Sequence, residues 1–218
     1  MTALIRYHLA LTVHAQRYLG PLLLHLCALT IFTVNDFGPL TGSYVVAAGS
    51  LLLASCWLTV SILNQEGPAR RAVTTVTAGG PARVLAAETT LALMAGLALT
   101  VIGTIFPIVS GTHEVTPAAL TVGVLAQTTT LATGVAVGLI CSRLVIPRPG
   151  YSLLLALLVV MALPLTPGLP PVNPLLRVMS SDRTPTAQLP AAAGALLLAL
   201  ALLTTSALLT HRIATRRS

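Results

Sequence analysis

Lysine is absent from this 218-residue chain; all twelve basic residues are arginine. Acidic residues number only five, and charged residues together make up 8% of the sequence, against about 25% in a soluble domain. So few charges cannot cover the surface of a soluble fold. With 55% hydrophobic residues and a mean hydropathy of +0.90, the composition is that of an integral membrane protein. The enrichment in Arg, Ala, Leu and Thr points to a GC-rich genome.

Other absences bear on chemistry. Without lysine there is no GxxxxGK[ST] phosphate loop, so any ATP must be bound by another chain. The five histidines (His8, His14, His25, His113 and His211) do not stand at HxxxH or HExxH spacing. No carboxylates are paired, and no GxSxG elbow occurs. The three cysteines, Cys27, Cys56 and Cys141, lie far apart in apolar runs and indicate neither a zinc site nor a disulfide framework. An isoelectric point near 10.4 invites a nucleic-acid reading, but the arginines are scattered instead of gathered in one basic patch. No nucleic-acid partner is expected, and no metal or other cofactor bound by this chain.

Six segments read as membrane spans, at about residues 19–34, 43–63, 84–108, 116–141, 150–167 and 190–210. The arginines orient them. Arg6, Arg17, Arg70, Arg71, Arg83, Arg143, Arg148, Arg212, Arg216 and Arg217 fall on one face, against Arg177 and Arg183 on the other. Both termini are therefore expected in the cytoplasm. No small-x-small cleavage site follows the first span, so it is not read as a signal peptide.

Residues 1–18 pattern as a helix of their own. Leu4, Tyr7, Leu11, Ala15 and Tyr18 share one face, and Arg6 and Arg17 lie on another. An interfacial helix on the membrane surface fits, and so does a simple extension of the first span into water. The fifth span breaks early. Six prolines between Pro164 and Pro185 forbid a regular helix and point to short helices folding back, Val172–Met179 among them. Glu88 is the one acid within a span, within reach of the headgroups or of Arg83, and an intramembrane ionisable group is a functional candidate. The small residues Gly134 and Gly138, and Gly96 with Thr100 and Thr104, suit close helix packing.

The densest charge lies in residues 64–83, NQEGPARRAVTTVTAGGPAR. Pro68 suits the first turn of a helix and Gly79-Gly80 its end. Between them Ala69, Val73 and Val76 form an apolar stripe beside Arg70. At about ten residues, or roughly 15 Å, this helix cannot span. It is either a handle for a cytoplasmic partner or an ordinary positively charged loop with one helical turn.

Together these features resemble the permease subunits of ABC transporters of the ABC-2 type, especially short actinobacterial members. The resemblance covers essentially the whole chain. Its most specific local pieces are the NQEGPARR…TAGGPAR loop and the proline-rich PPVNPLLRVMSSD, similar to that family's re-entrant helices before the last span. It implies a single all-α, six-span permease domain in a pair with a second copy or a related permease. Two cytoplasmic ATPase subunits would hold the ATP and Mg. Residues 68–78 would be the coupling helix, with Glu66, Pro68, Arg70, Arg71, Val73 and Val76 at the ATPase. The interfacial helix, with Arg6, Tyr7, Leu11, Arg17 and Tyr18, would be the connecting helix beside it. The scarcity of aromatics, 4%, departs from the polysaccharide exporters and suits a hydrophobic or amphipathic cargo. A membrane assembly, immunity or signalling subunit is the alternative. An ion-coupled carrier fits less well, with one shallow acid and no repeat of broken helices.

Overall fold

In lipid every backbone polar group must be satisfied within the protein, and a helix does this inside a single long apolar run. In the computed structural model, which describes residues 1–34, 38–142, 149–181 and 183–217, every regular element is an α-helix. Asp36, Arg143, Arg148 and Asp182, and the side chains of Arg216 and Arg217, lie outside the described residues.

The order is α1 (Thr2–His14), α2 (Leu19–Thr33), α3 (Leu40–Leu63), α4 (Pro68–Ala78), α5 (Pro81–Ser110), α6 (Pro117–Ile140), α7 (Pro149–Leu165), α8 (Val172–Met179) and α9 (Pro185–Arg217). Four helices are long and apolar enough to cross a membrane: α3, α5, α6 and the Pro185–Thr215 part of α9. Apolar α2 and α7 are shorter.

Helices α3 and α6 form the centre, and α6 also packs along α9. At one end Leu40, Tyr44 and Ala48 of α3 meet Val122 and Ala126 of α6 and Leu175 and Met179 of α8. Towards the other end Leu51, Ala54 and Leu63 of α3 pack with Leu85 and Leu99 of α5 and Leu131, Val135 and Leu139 of α6. The glycines of α6 set the spacing. A Cβ on Gly134 would lie 2.7 Å from the Leu52 carbonyl oxygen and one on Gly138 3.1 Å from that of Cys56. Backbone meets backbone there, as small residues at four-residue spacing permit.

The many threonines inside these apolar helices do not strand their hydroxyls. Thr59, Thr89, Thr100, Thr129 and Thr133 each donate to the carbonyl four residues back. Beyond α7, Asn173 holds the proline-rich turn together, donating to the Pro164 carbonyl at 2.6 Å and accepting from the Gly168 amide at 3.1 Å.

The N-terminal segment departs from its sequence pattern. α1 stops at His14, and Gln16 takes a left-handed φ of 52°, so Ala15 and Tyr18 fall outside the helix. The buried residues of α1 are His8 and Thr12, whereas Tyr7 on the expected apolar face is exposed. Polar contacts with the loop after α3 turn His8 and Thr12 inward, and α1 also packs against α5.

Candidate functional site

The uncharged run of α3 ends in three consecutive polar residues, and each is fixed to a different neighbour. Asn64 donates through Nδ2 to Ser152 Oγ of α7 at 3.2 Å, and its carbonyl accepts from Arg17 at 3.5 Å. Gln65 accepts from Thr12 Oγ1 at 3.0 Å and donates to His8 Nδ1 at 2.9 Å, both on α1. Fully buried Glu66 accepts from the Tyr7 hydroxyl of α1 at 2.8 Å and from Thr74 Oγ1 of α4 at 2.9 Å. One carboxylate thus joins the N-terminal helix to the short helix.

The short helix has well-defined ends. Gly67 is its extended N-cap and Pro68 opens it, where a missing N–H costs nothing. Gly79 closes it at φ 78°, with Gly79 N–H donating to the Val76 carbonyl at 3.2 Å and Gly80 N–H to that of Thr75 at 2.9 Å. This is the Schellman pairing. Arg83 adds a bond to the Ala78 carbonyl at 3.3 Å.

Within those ends α4 is turned so that its polar side faces the protein. Thr74 is its buried residue. Arg71 reaches inward and grips Glu88 of α5 with both guanidinium nitrogens, at 2.8 and 2.9 Å. The carboxylate is fully buried and the arginine side chain 15% exposed. Arg71 also touches the Leu63 carbonyl at 3.4 Å, placing a cation at the C-terminal end of α3. The apolar side faces out, with Val73 64% and Val76 81% exposed. Arg70 is exposed at the edge of that side, by the groove toward α1. An open groove of about 840 Å³ runs between α4 and α1, with Leu4, Tyr7, Arg70, Val73 and Thr77 among its walls.

The structure therefore divides the sequence-derived residues. Arg70, Val73 and Val76 are exposed, whereas Glu66 and Arg71 hold α4 to its neighbours. Of the α1 residues, Tyr7 enters the network, Arg17 touches the loop, Arg6 is exposed, and Leu11 and Tyr18 are half-buried. Glu88 pairs with Arg71, not with Arg83. His8, Thr12, Gln65 and Thr74 escaped the sequence reading. The one signal for them was the abrupt polar triplet after α3.

His8 makes the α1 contact sensitive to pH. Burial lowers its pKa below the ordinary 6.5, the Arg71 charge adds to this and the Glu66 charge opposes it. The neutral ring accepts from Gln65, and a proton on Nδ1 would set two donors against each other. A lowered folded-state pKa means the unfolded state binds more protons, so the contribution is complete above about 6.5 and is lost as pH falls below it. We expect α1 backbone amides to exchange faster at pH 5 than at pH 7.5 after correction for intrinsic rates. The excess should vanish in His8→Leu; an equal excess in the variant would rule this out. Burial and the Glu66 carboxylate raise the Tyr7 phenol above its usual 10, which keeps it a donor throughout.

Among the described residues no group of three or more His, Cys, Asp or Glu could hold a metal ion, and Cys27, Cys56 and Cys141 are free thiols. No family model matches the chain, and comparison with curated proteins and with solved structures likewise returns no match.

Proposed function

We propose that this chain is the membrane-spanning permease subunit of an ATP-driven exporter of the ABC-2 type, moving a hydrophobic or amphipathic cargo. The observation that carries the reading is the inverted seating of α4. A free-standing amphipathic helix turns its apolar side to the protein, because burial of each valine contributes about 1.5–3 kcal/mol. Here an ion pair and the Glu66 bonds hold the polar side in, and Val73, Val76 and Arg70 are presented outward. An apolar pair rimmed by a cation suits docking into a groove of another protein.

In this reading α2 and α7 complete six spans. The end bearing α1 and α4 carries Arg6, Arg17, Arg70, Arg71 and Arg83, so it faces the cytoplasm by the positive-inside rule, with both termini there. The short helix α8 is re-entrant from the outer side. Two ATPase subunits bind the ATP and Mg, α4 is the coupling helix, and a second permease copy or a related permease completes the assembly. Because Glu66 and Arg71–Glu88 tie α4 to α1, α3 and α5, a push on α4 reaches the spans directly.

Protein purified from its native membrane in mild detergent is expected to retain an ATP-hydrolysing subunit. The triple variant Arg70→Glu, Val73→Asp, Val76→Asp should weaken that association roughly tenfold or more, since losing about 1.4 kcal/mol suffices for a factor of ten. Thermal unfolding of Val73→Asp, Val76→Asp without the Arg70 change should be unchanged, because both valines are largely exposed. An ATPase that never co-purifies, or one retained equally by the triple variant, would sink the proposal. It would favour a non-transporting membrane assembly, immunity or signalling subunit.

A further inference from the structure

A second groove, separate from the one between α1 and α4, opens on the flank of the bundle beside α1. Leu9 and Val13 of α1 form one side of it and α5 the other, with buried Leu58 and Ile62 of α3 at the bottom. Its volume is about 230 Å³. Along α5 it runs from Leu91 to Leu99, about 12 Å at 1.5 Å per residue. It therefore leads from the N-terminal helix down the side of a helix long and apolar enough to cross a membrane.

The walls are apolar apart from Thr12 and Tyr18. The Thr12 hydroxyl is engaged by the His8 carbonyl and Gln65, at 2.8 and 3.0 Å, so a polar guest would find little to bond to inside. Apolar space of this kind stays dry, and left empty it forfeits the dispersion contacts of its lining. In a bilayer the material that meets the flank of a spanning helix is hydrocarbon chain, and a narrow, elongated apolar groove fits one.

Charge marks one end of the groove. Arg17 precedes Tyr18 of the wall and touches the Asn64 carbonyl, two residues beyond Ile62. That contact is long, 3.5 Å, and Arg17 is exposed, so most of its five N–H donors face outward. Arg6 is exposed on the same stripe of α1 as Leu9 and Val13 and adds to the positive field of that surface. The chain has no acid before Asp36. Fully buried Glu66 is engaged by Tyr7 and Thr74, and Glu88 pairs with Arg71. Among the described residues no carboxylate is left for Arg17, and its counter-anion comes from outside the chain.

We propose that this groove holds one acyl chain of an anionic phospholipid whose phosphate lies at Arg17. Helix α1, tied to the loop after α3 through His8 and Thr12, roofs the chain. The site is independent of what docks on α4.

Native mass spectrometry of the full chain, delipidated in mild detergent and titrated with lipid, tests this. We expect one phosphatidylglycerol to bind about fivefold tighter than phosphatidylcholine with the same chains, the worth of one arginine beside an anionic headgroup. Arg17→Gln should bring phosphatidylglycerol to the phosphatidylcholine level, and Arg177→Gln, on α8, should leave the difference intact. Ala98→Phe, which fills the groove from α5, should weaken both lipids at least tenfold. Leu9→Glu, which sets a carboxylate in the exposed wall, serves if Ala98→Phe does not fold. Glycerol phosphate, an anion without chains, should not compete. Equal affinity of the wild type for the two lipids, unchanged binding in a folded groove variant, or competition by glycerol phosphate would overturn the proposal. So would a dimer that excludes lipid and is dissolved by Ala98→Phe, which would assign the groove to a second copy of the chain.

Discussion

Arg71→Met is expected to lower the thermal midpoint by about 10 °C. The variant leaves the buried Glu88 carboxylate without its cation, and breaking a buried pair from one side costs about 3–5 kcal/mol, at about 2–4 °C per kcal/mol for a chain of this size. The buried thiols of Cys56 and Cys141 report the transition through a thiol-reactive dye, in a Cys27→Ser background that removes the exposed one. Arg71→Lys should recover little, because an ammonium cannot make the two-pronged contact seen at 2.8 and 2.9 Å. The double change Arg71→Met, Glu88→Leu should recover most of the loss, since an apolar pair carries no desolvation penalty. A midpoint for Arg71→Met within about 2 °C of wild type would mean that the pair does not hold α4 to α5. The same variants separate stability from coupling. If α4 transmits force from a partner, the double variant should fold normally and still lose stimulation of the partner's ATPase by cargo.

Gly134→Leu is expected to destabilise as well, by overpacking. Its Cβ would fall 2.7 Å from the Leu52 carbonyl oxygen and 3.2 Å from the Cys56 amide nitrogen. Backbone atoms in the middle of a helix cannot step aside. The α3 and α6 axes must separate instead, undoing the Leu51, Leu131 and Val135 contacts around them. Overpacking of this kind costs about 1–3 kcal/mol and occasionally more, and Gly138→Leu should behave alike. Gly194 of α9 is the control. A Cβ there meets nothing within 4 Å, so Gly194→Ala should be neutral or stabilise slightly through helix propensity. Equal midpoints for Gly134→Leu and Gly194→Ala would show that α3 and α6 do not approach as closely as described.

Several features could be read directly from the chain. Charge scarcity and long apolar runs give the helical class, because lipid leaves a backbone few other choices. The bounds of α4 follow from Pro68 and Gly79-Gly80, whose conformational demands are local and survive any tertiary context. The Val172–Met179 helix is equally legible, set between prolines that cannot continue a helix on one side and Ser180-Ser181 on the other.

What touches what was settled only in three dimensions. Arg83 and Glu88 lie close in sequence on one helix, but five residues rotate the chain by roughly 140° at 3.6 residues per turn, so they point to different sides. Arg71, seventeen residues away on α4, supplies the cation. The apolar stripe of α4 was visible, but its direction was not, because periodicity names a face without saying what lies opposite. Inside the bundle the pattern carries less still. Helices such as α3 are apolar all round, so no stripe marks the side on which Ser50 meets His25 or Gly134 admits Leu52. Composition and backbone chemistry act within a segment and are written in order along the chain. The pairing of buried polar groups depends on which segments come side by side, and only the packed structure decides that.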